Sequence, residues 1–246
     1  QPYLLHGSGR SSRWLITCEH ATNVVPPTVN NGDLGLPDSD MTRHIAYDLG
    51  AWGVATRLAD LLGGVAVGAN FSRLVIDPNR GSDDPTLVMK LYDGSIIPAN
   101  RNADASEAKR RTALFYQPFH NQVAEHSAQH PDTVMVSIHS FTPQLRGRPP
   151  RPWQIGILSA ADRRLTEPMH ALLSEDRGLT VGDNQPYNGH LPGDSIDTHA
   201  IKHKRLNALI ELRNDLISES EGQMSWAERL APICAAALER AETEQT

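Results

Sequence analysis

Short apolar runs alternate along the chain with stretches whose apolar residues recur at helical spacing. Trp14 to Cys18 (WLITC) is an apolar run of strand length that turns polar at once, at Glu19, His20 and Thr22. From His44 to Leu62, residues Ile45, Leu49, Trp52, Val54, Ala55, Leu58, Leu61 and Leu62 predict one helix, which Gly63–Gly64 then ends. Val65 to Val67 and Leu74 to Ile76 read as strands. Residues 77–103 are rich in Pro, Gly, Asn and Asp and predict a long loop, and such a loop in a compact domain more often works than idles. A long helix is expected from Ala105 to His130, with Pro118 as a kink or break. Thr133 to Ile138 (TVMVSI) is a β-branched strand ending at polar His139 and Ser140. Strands at Gln154 to Leu158, Leu179 to Val181 and Ala208 to Leu212 follow, with a helix from Asp162 to Glu175 before the second. Ser225 to Thr243 reads as a closing amphipathic helix with Ser225 as its N-cap.

Strand and helix in alternation argue for an α/β sheet covered on both faces, here as one domain over residues 1–246. In such sheets ligands sit beyond the carboxyl ends of the strands. His20, His139 and the Asn79–Arg80 pair all follow apolar runs, which points to one shared site.

Composition narrows the partners. A formal net charge of −6 advertises neither nucleic-acid nor anionic-membrane binding, so a small-molecule substrate is expected. No apolar run approaches the ~20 residues needed to span a bilayer. The two cysteines, Cys18 and Cys234, form no disulfide framework, and Gln1 to Arg13 lacks an apolar core for export. A reducing, cytoplasmic setting is the expectation. Oligomeric state has no signature in the sequence. Of the 11 histidines, His126, His130, His170 and His190 read as solvated surface groups.

The remaining polar residues suggest metal chemistry. A neutral imidazole at a strand end is a good zinc ligand, and His20 and His139 follow two separate strands. A hydrolytic zinc site uses about three protein ligands and an open position. The third should be a carboxylate, for which Asp40 and Glu19 compete. Glu19 adjoins His20, and neighbours in extended chain point to opposite sides. Asp40 precedes a helix and could equally serve its cap. In SRLVIDPNRG, Arg73, Asn79 and Arg80 suit capture of a carboxylate, while the same segment is good turn chemistry. Glu211 lies between Ile210 and Leu212 in an apolar strand, where a carboxylate is costly unless paired or used. As a general base it would take a proton from water and hand it to a leaving nitrogen; as a structural group it would pair with Arg213.

SIHSF followed by IELRN resembles the paired signatures of zinc carboxypeptidases, although the H-x-x-E spacing is absent because Asn23 stands three after His20. A fuller resemblance is to the N-formylglutamate amidohydrolase family. It runs through EHATNVVP, DSDMTRHIAYDLG, SRLVIDPNR, FYQPFH, SIHSF, RPWQIGIL, DNQPYNG, THA and IELRNDL, in family order. It implies a phosphorylase/hydrolase-like three-layer fold with a central mixed, largely parallel sheet. The activity implied is zinc-dependent hydrolysis of a small N-acyl amino acid, N-formyl-L-glutamate foremost. Imidazole and carboxylate ligands also admit other divalent metals. By the same resemblance His20, Asp40 and His139 hold the metal and Glu211 is the base. Arg73, Asn79 and Arg80 bind a carboxylate, and Arg146, Tyr187 and His199 complete the substrate site. Tyr116 and His120 of FYQPFH can equally be core polar groups on one helix face. The chain has C-E-H-A where deformylases of histidine breakdown have P-H-S-G, which bears on the substrate. A small carboxypeptidase, a peptidoglycan-type amidase or a non-catalytic binding protein of the same fold are the competing readings.

Overall fold

The computed structural model describes residues 1–189 and 191–243. Its strands are β1 (Tyr3–His6), β2 (Trp14–Cys18), β3 (Val65–Ala69), β4 (Leu91–Tyr92), β5 (Ser95–Ile96), β6 (Val134–Phe141), β7 (Ile155–Leu158), β8 (Val181–Asp183) and β9 (Asn207–Arg213). Seven of them form one sheet in the order β1-β3-β2-β6-β9-β7-β8, and β4 and β5 make a separate hairpin. β2, β3, β6 and β9 run parallel, as do β7 and β8 with each other. β1 on β3 and β7 on β9 are antiparallel, so the sheet is mixed but largely parallel, as expected. The helices are α1 (Asp38–Met41), α2 (Ala51–Leu62), α3 (Ala105–Arg111), α4 (Gln117–Ser127), α5 (Thr166–Ser174), α6 (Ser195–His199) and α7 (Ser220–Thr243).

Successive side chains of a strand point to opposite faces, and this sorts the core into two. Ile16, Cys18, Val136, Ile138, Ala208, Ile210 and Leu212 pack with Val54 and Leu58 of α2, Met169 of α5, and Trp226 and Leu230 of α7. Leu15, Val67, Met135 and Leu209 pack on the other face with Phe71, Phe115, Phe119 and Val123. Thr17, Ser137, His139 and Glu211 share the parity of this second set. The strand period therefore carries them to the second face, at the carboxyl ends of the parallel strands.

Several predicted elements shift. The helix expected from His44 begins only at Ala51, because Gly50 takes φ +79°, and residues 44–50 form turns instead. A β-carbon at Gly50 would lie 2.0 Å from the Ile217 carbonyl oxygen, so the close approach needs glycine. Gly63 ends α2 in the left-handed region, as predicted. Leu74 to Ile76 is fully buried but is a turn and not a strand. Side chains replace the ladder there: Asn100 Nδ2 donates to the Leu74 carbonyl and Arg111 to the Val75 carbonyl. The long helix divides into α3, a π-helical turn (Thr112–Tyr116) and α4, with Pro118 in the first turn of α4. α7 starts five residues earlier than expected, which places Ser225 inside it rather than at its cap. β1 carried no signal of its own: it is a short edge strand, half-buried, that completes the sheet beside β3.

Candidate active site

β2 ends at Cys18, and Glu19 and His20 follow it directly into the second face. In β6, His139 stands opposite Glu211 of β9 in the parallel register. The turn after Tyr47 delivers Asp48 to the same place, stitched there by its own N–H donating to the His20 carbonyl. His20, Asp48 and His139 are all buried, and each offers a ligand atom within 4.8 Å of the others. Asp48 Oδ2 lies 3.2 Å from His20 Nδ1 and 2.8 Å from His139 Nδ1. The opposite nitrogens each meet another carboxylate. His20 Nε2 is 2.7 Å from Asp77 Oδ1, and His139 Nε2 is 3.0 Å from Glu19 Oε2. Imidazoles that hold a metal through one nitrogen are commonly backed by a carboxylate at the other, which is this arrangement twice over.

Glu19 is wholly buried and accepts a hydrogen bond from Ser137 Oγ. Burial pushes its carboxyl upward, but hydrogen bonding and charge from His139 outweigh this and hold it at about 2. Burial likewise opposes ionisation of Asp48 and Asp77, yet His20 and His139 hold the first, and Arg73 and His20 the second, well below the carboxylate range. Arg73 is the one buried guanidinium among these groups, 2.9 Å from Asp77 and 3.5 Å from Asp48. Three buried carboxylates thus face one buried guanidinium. Against the opposing effect of burial, Asp48 and Glu19 hold the His139 imidazole well above its usual range, so its charge offsets theirs here. A divalent cation on neutral imidazoles would supply positive charge in its place, and the donor set of two imidazoles and a carboxylate suits one.

A cavity of about 290 Å³ opens above these groups. Its walls include His20, Asp48 and His139 at the base, with Arg73, Asn79, Arg80, Tyr92, Tyr187, Asp194 and Glu211 around it. Glu211 is buried and its Oε2 has no hydrogen-bond partner among the described residues. Burial raises its carboxyl to about 8, partly offset by His139. Burial also raises Asp194, the N-cap of α6, to about 6. Arg80 reaches Thr86 Oγ1 and the Asn79 carbonyl with two of its nitrogens and makes no ion pair within 4 Å among the described residues, although its charge adds to that of Arg73 and His20 in lowering Asp77. The cavity therefore joins a cation-ready base, a buried carboxyl able to exchange a proton, and an arginine free for an anion.

The sequence model of N-formylglutamate amidohydrolase matches residues 12–218. The chain belongs to the N-formylglutamate amidohydrolase family. No curated protein sequence matches it. Among solved structures, it is similar to gene product Atu2144 from Agrobacterium tumefaciens, with 35% identity, a TM-score of 0.92, and coverage of 98% of this chain and 96% of the other. It also resembles an N-formylglutamate amidohydrolase from Ralstonia eutropha JMP134 at 21% identity and TM-score 0.63, covering 98% and 97% of the two chains. A bacteriophage poly-gamma-glutamate hydrolase is 11% identical with TM-score 0.51, covering 97% and 90%. The last two likenesses concern the fold alone.

Within this family member, the structure gathers most of the residues singled out from sequence. His20, His139, Glu211, Arg73, Asn79, Arg80 and Tyr187 all line the cavity. Asp40 does not. It sits on α1, accepts hydrogen bonds from Ser95 Oγ and Arg43, and lies outside the His20–His139 cluster. The carboxylate that joins the two histidines is Asp48, and Glu19 stands behind His139. Arg146 lies in a neighbouring open groove with Arg43, Asp93 and Gln144, and not in the main cavity. His199 is buried behind the cavity wall, with its Nε2 2.8 Å from His120 Nδ1. Of the histidines read as surface groups, His126, His130 and His170 are half-buried, and His190 lies outside the described residues.

Asp48 and Asp77 were hidden for different reasons. A continuous helix from His44 would place Asp48 on the apolar stripe with Ile45, Trp52 and Ala55, so an acid on that face and the glycine at 50 were the available signals. Asp77 reads as a turn former in DPNR, and it is one, because its Oδ1 accepts the Asn79 N–H. The same oxygen also holds His20. Among the described residues, no helix is long and apolar enough to cross a membrane.

Proposed function

We propose that the chain, as one amidohydrolase domain, hydrolyses the amide bond of a small N-acyl amino acid, N-formyl-L-glutamate foremost, with a divalent metal such as zinc. The observation that carries this reading is the juxtaposition in one cavity of the His20–Asp48–His139 cluster, the unpartnered oxygen of Glu211 and the guanidinium of Arg80. Family membership supports the acyl group and the amino acid.

His20 and His139 would hold the ion through Nδ1, and Asp48 through its carboxylate. Asp77 and Glu19 fix the two rings from behind and raise their basicity. When bound, such an ion supplies Lewis acidity at the scissile carbonyl. Glu211 takes a proton from the attacking water as its oxygen bonds to the acyl carbon. It then passes the proton to the nitrogen as the C–N bond breaks, leaving formate and the free amino acid. Beside a cation the raised pKa of Glu211 falls toward neutrality, which suits a group that both takes and returns a proton. Asn79 and Arg80 receive a substrate carboxylate, with Arg80 as the charged donor. Tyr92 and Tyr187 stand at the walls and restrict the size of the substrate.

The test is a panel assay of zinc-loaded protein on N-formyl-L-glutamate, other N-acyl amino acids, dipeptides and muropeptides. Deformylation is expected to give the highest kcat/KM. Turnover of dipeptides or muropeptides with none of N-formyl-L-glutamate would overturn the assignment.

A further inference from the structure

The FYQPFH segment has no part in the chemistry above, yet two of its side chains reach the segment that does. Residues 77–80 serve the site twice: Asp77 backs His20, and Asn79 and Arg80 line the cavity. This short stretch belongs to no strand, so its carbonyls need donors from elsewhere. Two of them come from one helix face. His120 Nε2 is 3.0 Å from the Pro78 carbonyl oxygen, and Tyr116 Oη donates to the Arg80 carbonyl at 2.9 Å. Tyr116 closes the π-helical turn and His120 follows four residues later, so the rings meet at a tilt of 43° with centroids 4.1 Å apart. Both are buried.

The proton positions follow from the partners. A carbonyl only accepts, so His120 carries its proton on Nε2. Its Nδ1 is then an acceptor, and His199 Nε2, 2.8 Å away, must donate to it. His199 is fixed in turn on α6, whose Ser195 N–H donates to Asn79 Oδ1 at 3.4 Å. The loop is therefore held at Pro78, Asn79 and Arg80 by α4, α6 and the π-helical turn between α3 and α4.

We propose that Tyr116, His120 and His199 are positioning residues that set the 77–80 segment, and through it both the ring of His20 and the substrate-binding Arg80. The substrate half rests on the reading of Asn79 and Arg80 as carboxylate donors; the metal half does not need it. A buried polar pair serving only the core would leave the two functions of that segment unchanged when replaced by a side chain of similar size.

The experiment compares wild type with His120→Ala, His120→Gln and Tyr116→Phe in two measurements. One is zinc affinity, by competition with a chelating dye. The other is KM and kcat for N-formyl-L-glutamate at saturating zinc. His120→Ala is expected to weaken zinc and raise KM by about tenfold each, with kcat within about threefold, because positioning of a metal ligand's partner is worth roughly 10–100-fold. His120→Gln, whose amide can donate to Pro78, should bring both within about threefold of wild type. Tyr116→Phe removes one oxygen and should raise KM about threefold or more, and it carries the test if His120→Ala fails to fold. Unchanged zinc affinity and KM in His120→Ala and Tyr116→Phe would overturn the proposal, as would His120→Gln behaving no better than a folded His120→Ala. If wild type does not deformylate N-formyl-L-glutamate while zinc affinity still follows the predicted order, the substrate reading falls and the positioning role stands.

Discussion

Glu211→Gln separates chemistry from stability at a single buried position. The substitution keeps the shape of the side chain and removes its ability to ionise. Losing the proton acceptor should lower kcat by about 10²–10⁴-fold, the usual contribution of a general acid–base group. The same change should stabilise the metal-stripped protein at alkaline pH. Unfolded, the carboxyl loses its proton near 4.5; folded, it keeps it to about 8. The folded state therefore binds the extra proton across that window, and stability falls as pH rises through it. Three and a half units at about 1.4 kcal/mol each set an upper bound of about 5 kcal/mol on the loss, complete above pH 8. Glu211→Gln lacks this loss. Urea unfolding of both chelator-treated proteins at pH 5 and pH 8.5 should show the variant gaining a few kcal/mol only at the higher pH, while turnover is lost at both. Turnover within about fivefold of wild type would refute the role of Glu211 as base. An equal stability difference at both pH values would refute the claim that burial raises its pKa.

Other outcomes follow from the same geometry. Asp48→Asn should lower zinc content per chain severely in elemental analysis, while Asp40→Asn, at a surface pair with Arg43, should leave it near wild type; the reverse pattern would restore Asp40 as the ligand. Arg80→Met should raise KM for N-formyl-L-glutamate by about 10–100-fold with bound zinc unchanged, since a charge-assisted hydrogen bond to a carboxylate is worth roughly 1.5–3 kcal/mol. His120, buried against His199 and the Pro78 carbonyl with Glu19 nearby, is lowered by that burial to about 4 from 6.5. The unfolded chain binds the extra proton between these values, so the contribution is present above pH 6.5 and lost as pH falls to about 4. Wild type should therefore lose about 3 kcal/mol more than His120→Gln between pH 7 and pH 4, read from urea midpoints.

Much of this molecule was legible from residue order alone. Local patterns report what depends on near neighbours: the apolar runs of β2 and β6, the glycine that ends α2, the break before Pro118, and the strand that carries Glu211. That His139 and Glu211 share a face was not among the legible features: alternation holds within one strand, and the register that sets His139 opposite Glu211 comes from the pairing of β6 with β9. What residue order left open was which distant groups meet. Asp40 precedes a helical pattern and Asp48 falls inside one, and neither position says which acid meets the two histidines. In the fold the helix starts only after Gly50, which packs against the Ile217 carbonyl, and Asp48 lies beside His20 and His139. Leu74 to Ile76 has the composition of a strand, but Asn100 and Arg111, far along the chain, take up its backbone groups and leave it a turn. The same holds for His120, ambiguous on its helix and unambiguous once the Pro78 carbonyl lies 3.0 Å away. Period and propensity act over a few residues, whereas a site of buried charges is decided by groups that only folding brings within a few ångströms.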